Sequence, residues 1–474
     1  MISLFISFVF LIVGYNVYGR FVERVFAPDD RQTPAYAKQD GVDFVPMPTW
    51  KAILIQLLNI AGTGPIFGAL MGACFGPVVF LWIILGSVLG GAVHDYMSGM
   101  ISERHDGASI AELSGIYLGP VAKWVMRLFS VLLLLLTGTV FVTSPAALLA
   151  KLTPDTLSLS VWIVIILIYY VLATLLPIDK VIGRFYPIFG VVLIAMAVGI
   201  FSGIFTGGYH VPEITLQNLH PEGLPIWPFM FVTVACGAIS GFHATQSPMV
   251  AKCIKSEKLG RKVFYGAMIA ESVIALAWAE GGVAFYGTTG GLYNAITEAG
   301  QSGVVYEIST GMLGTVGGIL AIIGVVACPI TSGDTAFRSA RLILAEITGL
   351  DQKKIKNRLL ITVPLLGLGA FLTQLNFNVL WRYFSWSNQT LAMISLWVAT
   401  AYLLKTHKKK AVSLITALPA SFMTAVSVTY ILIADEGLKL SASVSYPIGI
   451  VAAIGLFVIY LVLGARIDPK GETK

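Results

Sequence analysis

The sequence predicts an all-α polytopic membrane protein of about 13 transmembrane helices, a single integral membrane domain over residues 1–474. Three observations predict it: an apolar composition, a series of apolar runs of spanning length, and basic residues confined to alternate connections. Hydrophobic residues make up 56% of the chain and charged ones only 12%, about half the charged fraction of an ordinary soluble protein. Mean hydropathy is +0.82.

Apolar runs of roughly 18 to 25 residues are long enough to cross a bilayer as helices. They fall at 1–18, 52–76, 78–100, 123–148, 161–176, 188–206, 227–247, 263–287, 313–337, 359–376, 387–404, 412–434 and 447–464. The widest connection, 19–51, is too short for a globular domain with its own core, which leaves function to the membrane-embedded part.

The net charge of +6 is explained by position, not by nucleic acid. Counting Lys123 and Arg127, at the start of the fourth run, with the connection before it, 28 of the 31 Lys and Arg belong to odd-numbered connections and three to even-numbered ones. Basic connections stay in the cytoplasm, so the N-terminus is expected outside and the C-terminus in the cytoplasm. The first segment is read as a retained anchor: Arg20 and Arg24 follow its apolar run, the reverse of a secretory signal. Cys74, Cys236, Cys253 and Cys328 show none of the pair spacings that bind zinc and read as packing residues.

Three segments carry interruptions. The second holds "GTGP" (Gly62–Pro65), the seventh "GAISGFHATQSP" (Gly237–Pro248) and the ninth "CPITSGDT" (Cys328–Thr335). An unpaired N–H or C=O costs several kcal/mol in hydrocarbon, so such breaks survive only where protein or a wet cavity covers them. The second and seventh segments are five apart, hence oppositely oriented. Broken helices in corresponding positions of two opposed five-helix units are the pattern of an inverted-repeat secondary transporter. The units are expected at 52–206 and 227–404, with the helix at 1–18 before them and two C-terminal helices at 412–464 after them. "GSVLGG" (Gly86–Gly91) reads more plainly as a patch for close helix packing.

"NIAGTGPIFGALMG" (Asn59–Gly72), "GGAVHDYMSGMISERHDGASIAEL" (Gly90–Leu113), "CGAISGFHATQSP" (Cys236–Pro248) and "GAMIAESVIA" (Gly266–Ala275) together resemble the carbon starvation protein (CstA) family, and the likeness continues to "TSGDTAFRSARL" (Thr331–Leu342). The resemblance implies uptake across the bacterial cytoplasmic membrane during nutrient limitation, with peptides as substrate and pyruvate or another small carboxylate as the alternative. It also implies similarity to the LeuT-like fold, which suits the five-plus-five reading. The chain is shorter than the longer members of that family, and its last third resembles them least.

Broken helices offer N–H groups to a carboxylate and carbonyls to a cation. The substrate candidates are therefore Ala61, Gly62, Thr63 and Gly64 at the first break, with Ser240, Gly241, His243, Thr245 and Gln246 at the second. The plainer alternative is that these polar side chains only cap the broken ends.

Ionisable residues inside spans are functional candidates. Glu271 is the leading proton carrier, against the alternative of a structural pair with His243 or an Arg. Asp95 and Glu280 are further proton-coupling candidates, and Asp95 is also within expected reach of Arg104 or His105. Glu271 and Glu280 are separated by about 13 Å along one helix. Thr331, Ser332 and Asp334 form a candidate sodium site, implied by the LeuT-like resemblance and by the preference of hard cations for oxygen ligands. The competing reading pairs Asp334 with Arg338 at i,i+4. The expected coupling ion is the proton before sodium, with no cofactor. The aromatic run "WRYFSW" (Trp381–Trp386) is expected at the outer interface.

No HExxH, GxSxG or GxxxxGK[ST] motif is present, so an enzyme is not expected. A sodium-coupled transporter and a starvation sensor stand as further alternatives. No feature of the sequence sets an oligomeric state.

Overall fold

Among the described residues every regular element is helical. The structure is a computed structural model that describes residues 2–41, 43–175, 178–352 and 354–466, with 178–187 as backbone alone. Lys180, Arg184, Lys353, Lys470 and Lys474, which enter the charge count, lie outside the described side chains, as does the last residue of the run expected at 161–176.

Apart from a single helical turn at Pro34–Ala37, the helices in chain order are α1 (Ile2–Phe26), α2 (Thr49–Ile60), α3 (Gly64–Ala73), α4 (Val78–Arg104), α5 (Ile110–Leu118) and α6 (Pro120–Leu152). Then follow α7 (Leu159–Leu175), α8 (Ile178–Thr206), α9 (226–233), α10 (Gly241–Ala251), α11 (Glu257–Tyr286) and α12 (Thr289–Thr348). The last four are α13 (Ile355–Leu372), α14 (Phe377–Thr406), α15 (Lys410–Ile433) and α16 (Ala442–Arg466). Nine helices among the described residues are long and apolar enough to cross a membrane, or ten with α2 and α3 counted as one bent span. The expected number was about 13. Part of the difference is length: α7 is a shorter apolar helix, and α9 with α10 is split by seven residues.

Large apolar side chains cover the outside, among them Val121, Val316 and Val451, each at least 65% exposed. In water such a surface would drive aggregation, whereas against lipid it has the polarity of its surroundings. The interior carries the reverse pattern, with Asp95, His243, Glu271 and Glu280 fully or almost fully buried.

Helix irregularities sit where partners absorb them. The turn Ser87–Gly91 of α4 is a π-helix, which frees backbone carbonyls. Tyr265 Oη donates to the Val88 carbonyl at 2.9 Å. The patch at Gly86–Gly91 does pack closely: a methyl group on Gly91 would lie 2.2 Å from the Ala238 carbonyl oxygen.

α12 is continuous only by hydrogen bonding. Gly300 (φ 68°) and Gly314 (φ 59°) have non-helical backbone, and the residues between them fold across one end of the bundle. There Gln301 donates to Asn378 at 3.2 Å, Ser302 to the Ser144 carbonyl at 2.9 Å, and Lys151 to the Ala299 carbonyl.

At the opposite end Arg104 joins four elements. It donates to both oxygens of Glu257 at 2.8 and 3.0 Å, to Tyr402 Oη at 2.8 Å and to the Ala27 carbonyl at 2.9 Å. Its guanidinium lies 4.0 Å from the Phe26 ring centroid. Nearby, on the loop after α1, the Arg31 guanidinium holds the Asp29 carboxyl well below the usual carboxylate range.

Candidate functional site

Two interruptions face each other in the middle of the molecule. α2 and α3 meet at an angle of 51° across Ala61–Thr63, with Pro65 at the start of α3. Proline there lacks only an N–H that has no intrahelical acceptor. α9 ends at Thr233 and α10 starts at Gly241, leaving 234–240 unwound.

The breaks touch through glycines. A methyl group on Gly64 would lie 2.5 Å from Cys236 Sγ, and Gly237 has φ +84° with room for no methyl group against Ala275, 2.5 Å away. Both positions need glycine for separate reasons, close approach in one and a left-handed backbone in the other.

The unwound backbone is satisfied by a third helix. Asn388 Oδ1 accepts from the Phe242 N–H at 2.7 Å and from Ser240 Oγ at 3.1 Å, and its amide donates to the Ala235 carbonyl. Gln389 Nε2 lies within 3.2–3.3 Å of the carbonyls of Phe231, Val234 and Ile239. These two amides were not singled out from the sequence. Their signal was adjacency: two consecutive carboxamides inside an apolar span.

The same helix carries the aromatic run near its start. Trp381 is 2% and Phe384 1% exposed, and Trp381 packs on Phe67, Phe377 and Phe384. The run is mixed: Trp381, Phe384 and Ser385 face the core, Tyr383 and Trp386 are half-buried, and Arg382 is exposed and pairs with Glu436.

Behind the second break lies a chain of ionisable groups. His94 Nδ1 and Asp95 Oδ1 are 2.8 Å apart, and Asp95 Oδ2 is 2.8 Å from His243 Nδ1. His243 Nε2 is 3.4 Å from Glu271 Oε2. All four side chains are fully buried. Asp95 therefore pairs with two histidines and not with Arg104 or His105: Arg104 is taken by Glu257, and His105 by the Ile101 carbonyl and Tyr117.

Two carboxylates brought this close without solvent cannot both keep a bare charge. A proton carried on the His243 ring would sit between them and offset both. Its ring can pass that proton from one face to the other because each nitrogen meets a different acid.

The remaining candidates divide. Ala61, Gly62, Thr63 and Gly64 are buried at the first break, and Thr63 Oγ1 has no hydrogen-bond partner among the described residues. Ser240 and Gly241 border the second break, but His243, Thr245 and Gln246 lie on the first turns of α10, because the helix resumes earlier than "GFHATQSP" suggests. Thr245 Oγ1 donates to the Phe242 carbonyl, and Gln246 donates to Thr245 Oγ1. Glu280 is buried farther along α11, with both carboxyl oxygens lacking a hydrogen-bond partner among the described residues.

The expected third break is absent. "CPITSGDT" is helical, and Pro329 is accommodated by a π-helical turn at Ile323–Ala327, which relieves the missing N–H. Asp334 pairs with Arg338 at 3.0 Å, as the competing reading held. Thr331 Oγ1 donates to the Cys328 carbonyl, and Ser332 Oγ is 3.5 Å from the Leu58 carbonyl near the end of α2.

The family model for Carbon starvation protein CstA matches residues 1–159, 146–280 and 279–430. The chain belongs to the CstA family. An uncharacterized membrane protein of Haemophilus influenzae is 43% identical over 350 residues, 63% of this chain and 94% of its own length. The Peptide transporter CstA of Bacillus subtilis is 28% identical, covering 57% of this chain and 56% of that protein. The Pyruvate/proton symporter BtsT of Escherichia coli is also 28% identical, covering 56% of this chain and 46% of that protein. The chain thus matches about half the length of these last two relatives.

Among solved structures, MhsT in complex with L-phenylalanine aligns with a TM-score of 0.56 at 16% identity, over 89% of this chain and 98% of that one. A mutant form of the manganese transporter of Eremococcus coleocola aligns with a TM-score of 0.52 at 13% identity, over 88% of this chain and 94% of that one. At such identities the likeness concerns the fold, which is that of LeuT-like transporters. This CstA-family chain is therefore a multi-pass membrane protein with its two breaks at the centre of that fold.

Proposed function

We propose that this CstA-family protein is a secondary active transporter that imports small peptides across the bacterial cytoplasmic membrane during carbon starvation, coupled to protons by alternating access. The observation that carries the reading is the buried chain Glu271, His243, Asp95 and His94, placed directly behind the two facing helix breaks. The breaks supply backbone N–H and C=O groups to a zwitterionic solute, and the acid–histidine chain supplies an exchangeable proton beside it.

In this reading Ala61–Gly64 with Ser240, Gly241, Thr245 and Gln246 face the substrate. Glu271 exchanges the coupling proton, Asp95 holds His243 in position, and Glu280 serves as a second proton site toward the other end of α11. The molecule crosses the membrane about 13 times, with α2–α8 and α9–α14 as the opposed repeats, its N-terminus outside and its C-terminus in the cytoplasm. Peptide import agrees with the names of the B. subtilis relative and its counterparts. An enzyme reading has no supporting motif.

A second substrate reading, pyruvate or another small carboxylate, is favoured by the name of the E. coli symporter relative. Sodium coupling through Thr331, Ser332 and Asp334 has weaker support, because Arg338 already compensates Asp334.

The test is purified protein in liposomes, with internal pH followed as di- or tripeptides, and separately pyruvate, are added outside. Substrate-dependent acidification that is lost in Glu271→Gln supports proton symport and identifies the substrate class. Uptake of labelled substrate without a pH change points to sodium or facilitated diffusion. Absence of uptake for both classes defeats the transporter reading for these solutes.

A further inference from the structure

We propose that Cys236, His243 and Glu271 form a three-ligand site for a divalent transition-metal cation of the zinc class. The three residues come from the unwound segment before α10, the first turn of α10 and the middle of α11. Each offers one ligand atom, and these atoms all lie within 4.8 Å of one another in a buried environment.

The orientation of His243 is that of a ligand. Asp95 Oδ2 engages Nδ1 at 2.8 Å, which fixes the ring and leaves Nε2 facing inward. A carboxylate behind the imidazole is the usual outer partner of a metal-bound histidine and raises its basicity. His243 Nε2 and Glu271 Oε2 are buried and face each other at 3.4 Å, and among the described residues neither they nor Glu271 Oε1 complete a hydrogen bond of good geometry. In a protein interior such atoms are rare and costly, and a cation satisfies all of them at once.

Distances decide how much the site must move. Bonds of about 2.0–2.3 Å at tetrahedral angles put ligand atoms roughly 3.3–3.7 Å apart. Nε2 and Glu271 Oε2, at 3.4 Å, already meet that spacing. The thiol has to close by at most about 1 Å, turning away from Ser240 Oγ, to which it now donates at 3.3 Å. Gly64 packs directly against the sulfur, where a methyl group would come within 2.5 Å of it.

The donor set selects the metal. Calcium and magnesium prefer oxygen alone. A mixed thiolate, imidazole and carboxylate set suits zinc and its neighbours, with manganese weakest in the affinity order. Two positive charges also offset the thiolate and Glu271 in their buried surroundings. A cation held here would take the place of the proton between His243 and Glu271, so the metal-bound and proton-exchanging states exclude each other, whatever the transported solute.

The experiment uses the full chain, purified in detergent, stripped with a chelator, loaded with zinc chloride near neutral pH and desalted. About one zinc per chain is expected to remain, and cobalt chloride in its place is expected to give a thiolate-to-metal charge-transfer band. Cys236→Ser should lose the band and most of the zinc, whereas Cys328→Ser should keep both. Zinc retained in full by Cys236→Ser, cobalt bound without the thiolate band, or no metal held by monodisperse wild-type protein would each overturn the site. Should Cys236→Ser fail to fold, the wild-type cobalt spectrum alone decides.

Discussion

His243 stands between two fully buried acids, and its removal exposes their mutual repulsion. Breaking a buried ion pair from one side costs about 3–5 kcal/mol. His243→Leu is expected to lower the thermal unfolding midpoint of the purified protein, and adding Asp95→Asn should recover part of the loss because one stranded charge disappears. An unchanged midpoint in the single variant would mean the carboxyls are already neutral. Asn388→Ala strands the Phe242 N–H and the Ala235 carbonyl, at about 1–3 kcal/mol for each buried orphan. Asn388→Asp keeps the acceptor and loses the donor, so its melting midpoint should fall between those of wild type and Asn388→Ala.

At this scale the sequence displayed its chemistry but not its pairings. Glu271, Asp95 and His243 were conspicuous as ionisable residues in apolar runs. Asp95 and His243 are 148 positions apart, and no local rule joins them. Cys236 looked inert for the same reason: zinc spacings describe ligands near one another in sequence, whereas here a broken helix brings them together in space.

At the level of elements, the two glycine-bearing breaks were legible because "GTGP" and "GAISG" oppose helix on entropy and hydrogen bonding together. The end of the second break was not, since Pro248 fits inside α10. "CPITSGDT" misled because a π-helical turn can absorb a proline that sequence rules treat as a breaker. Gly237→Ala tests the second break by two additive effects, a left-handed backbone that costs about 1–2 kcal/mol and a clash with Ala275. The double variant Gly237→Ala, Ala275→Gly should relieve the clash and retain the strain, restoring thermal stability only in part. Full restoration would show that the backbone angle carries no cost.

For the molecule as a whole, the alternation of basic connections implies an orientation that a reporter can read. A fluorescent protein that matures only in the cytoplasm, fused after residue 474, should fluoresce, and a periplasm-dependent phosphatase at the same place should be inactive; the reverse result would invert the topology. Arg104 ties α1, α4, α11 and α14 at one end. Arg104→Lys keeps the charge but cannot span Glu257, Tyr402 and Ala27 together. It is expected to lower both uptake and thermal stability nearly as far as Arg104→Ala does, measured on the same preparations.

The bonds from Asn388 and Gln389 to the segment around 231–242 also dictate what must travel together. An unwound stretch bound to a neighbouring helix by five backbone groups is a rivet rather than a hinge. In any rocking of one half against the other, α14 and the second break should keep a constant separation, while the glycine seam between Gly64 and Cys236 is free to open. Spin labels placed across those two junctions would register one narrow, solute-independent distance and one that broadens or shifts as the protein turns over.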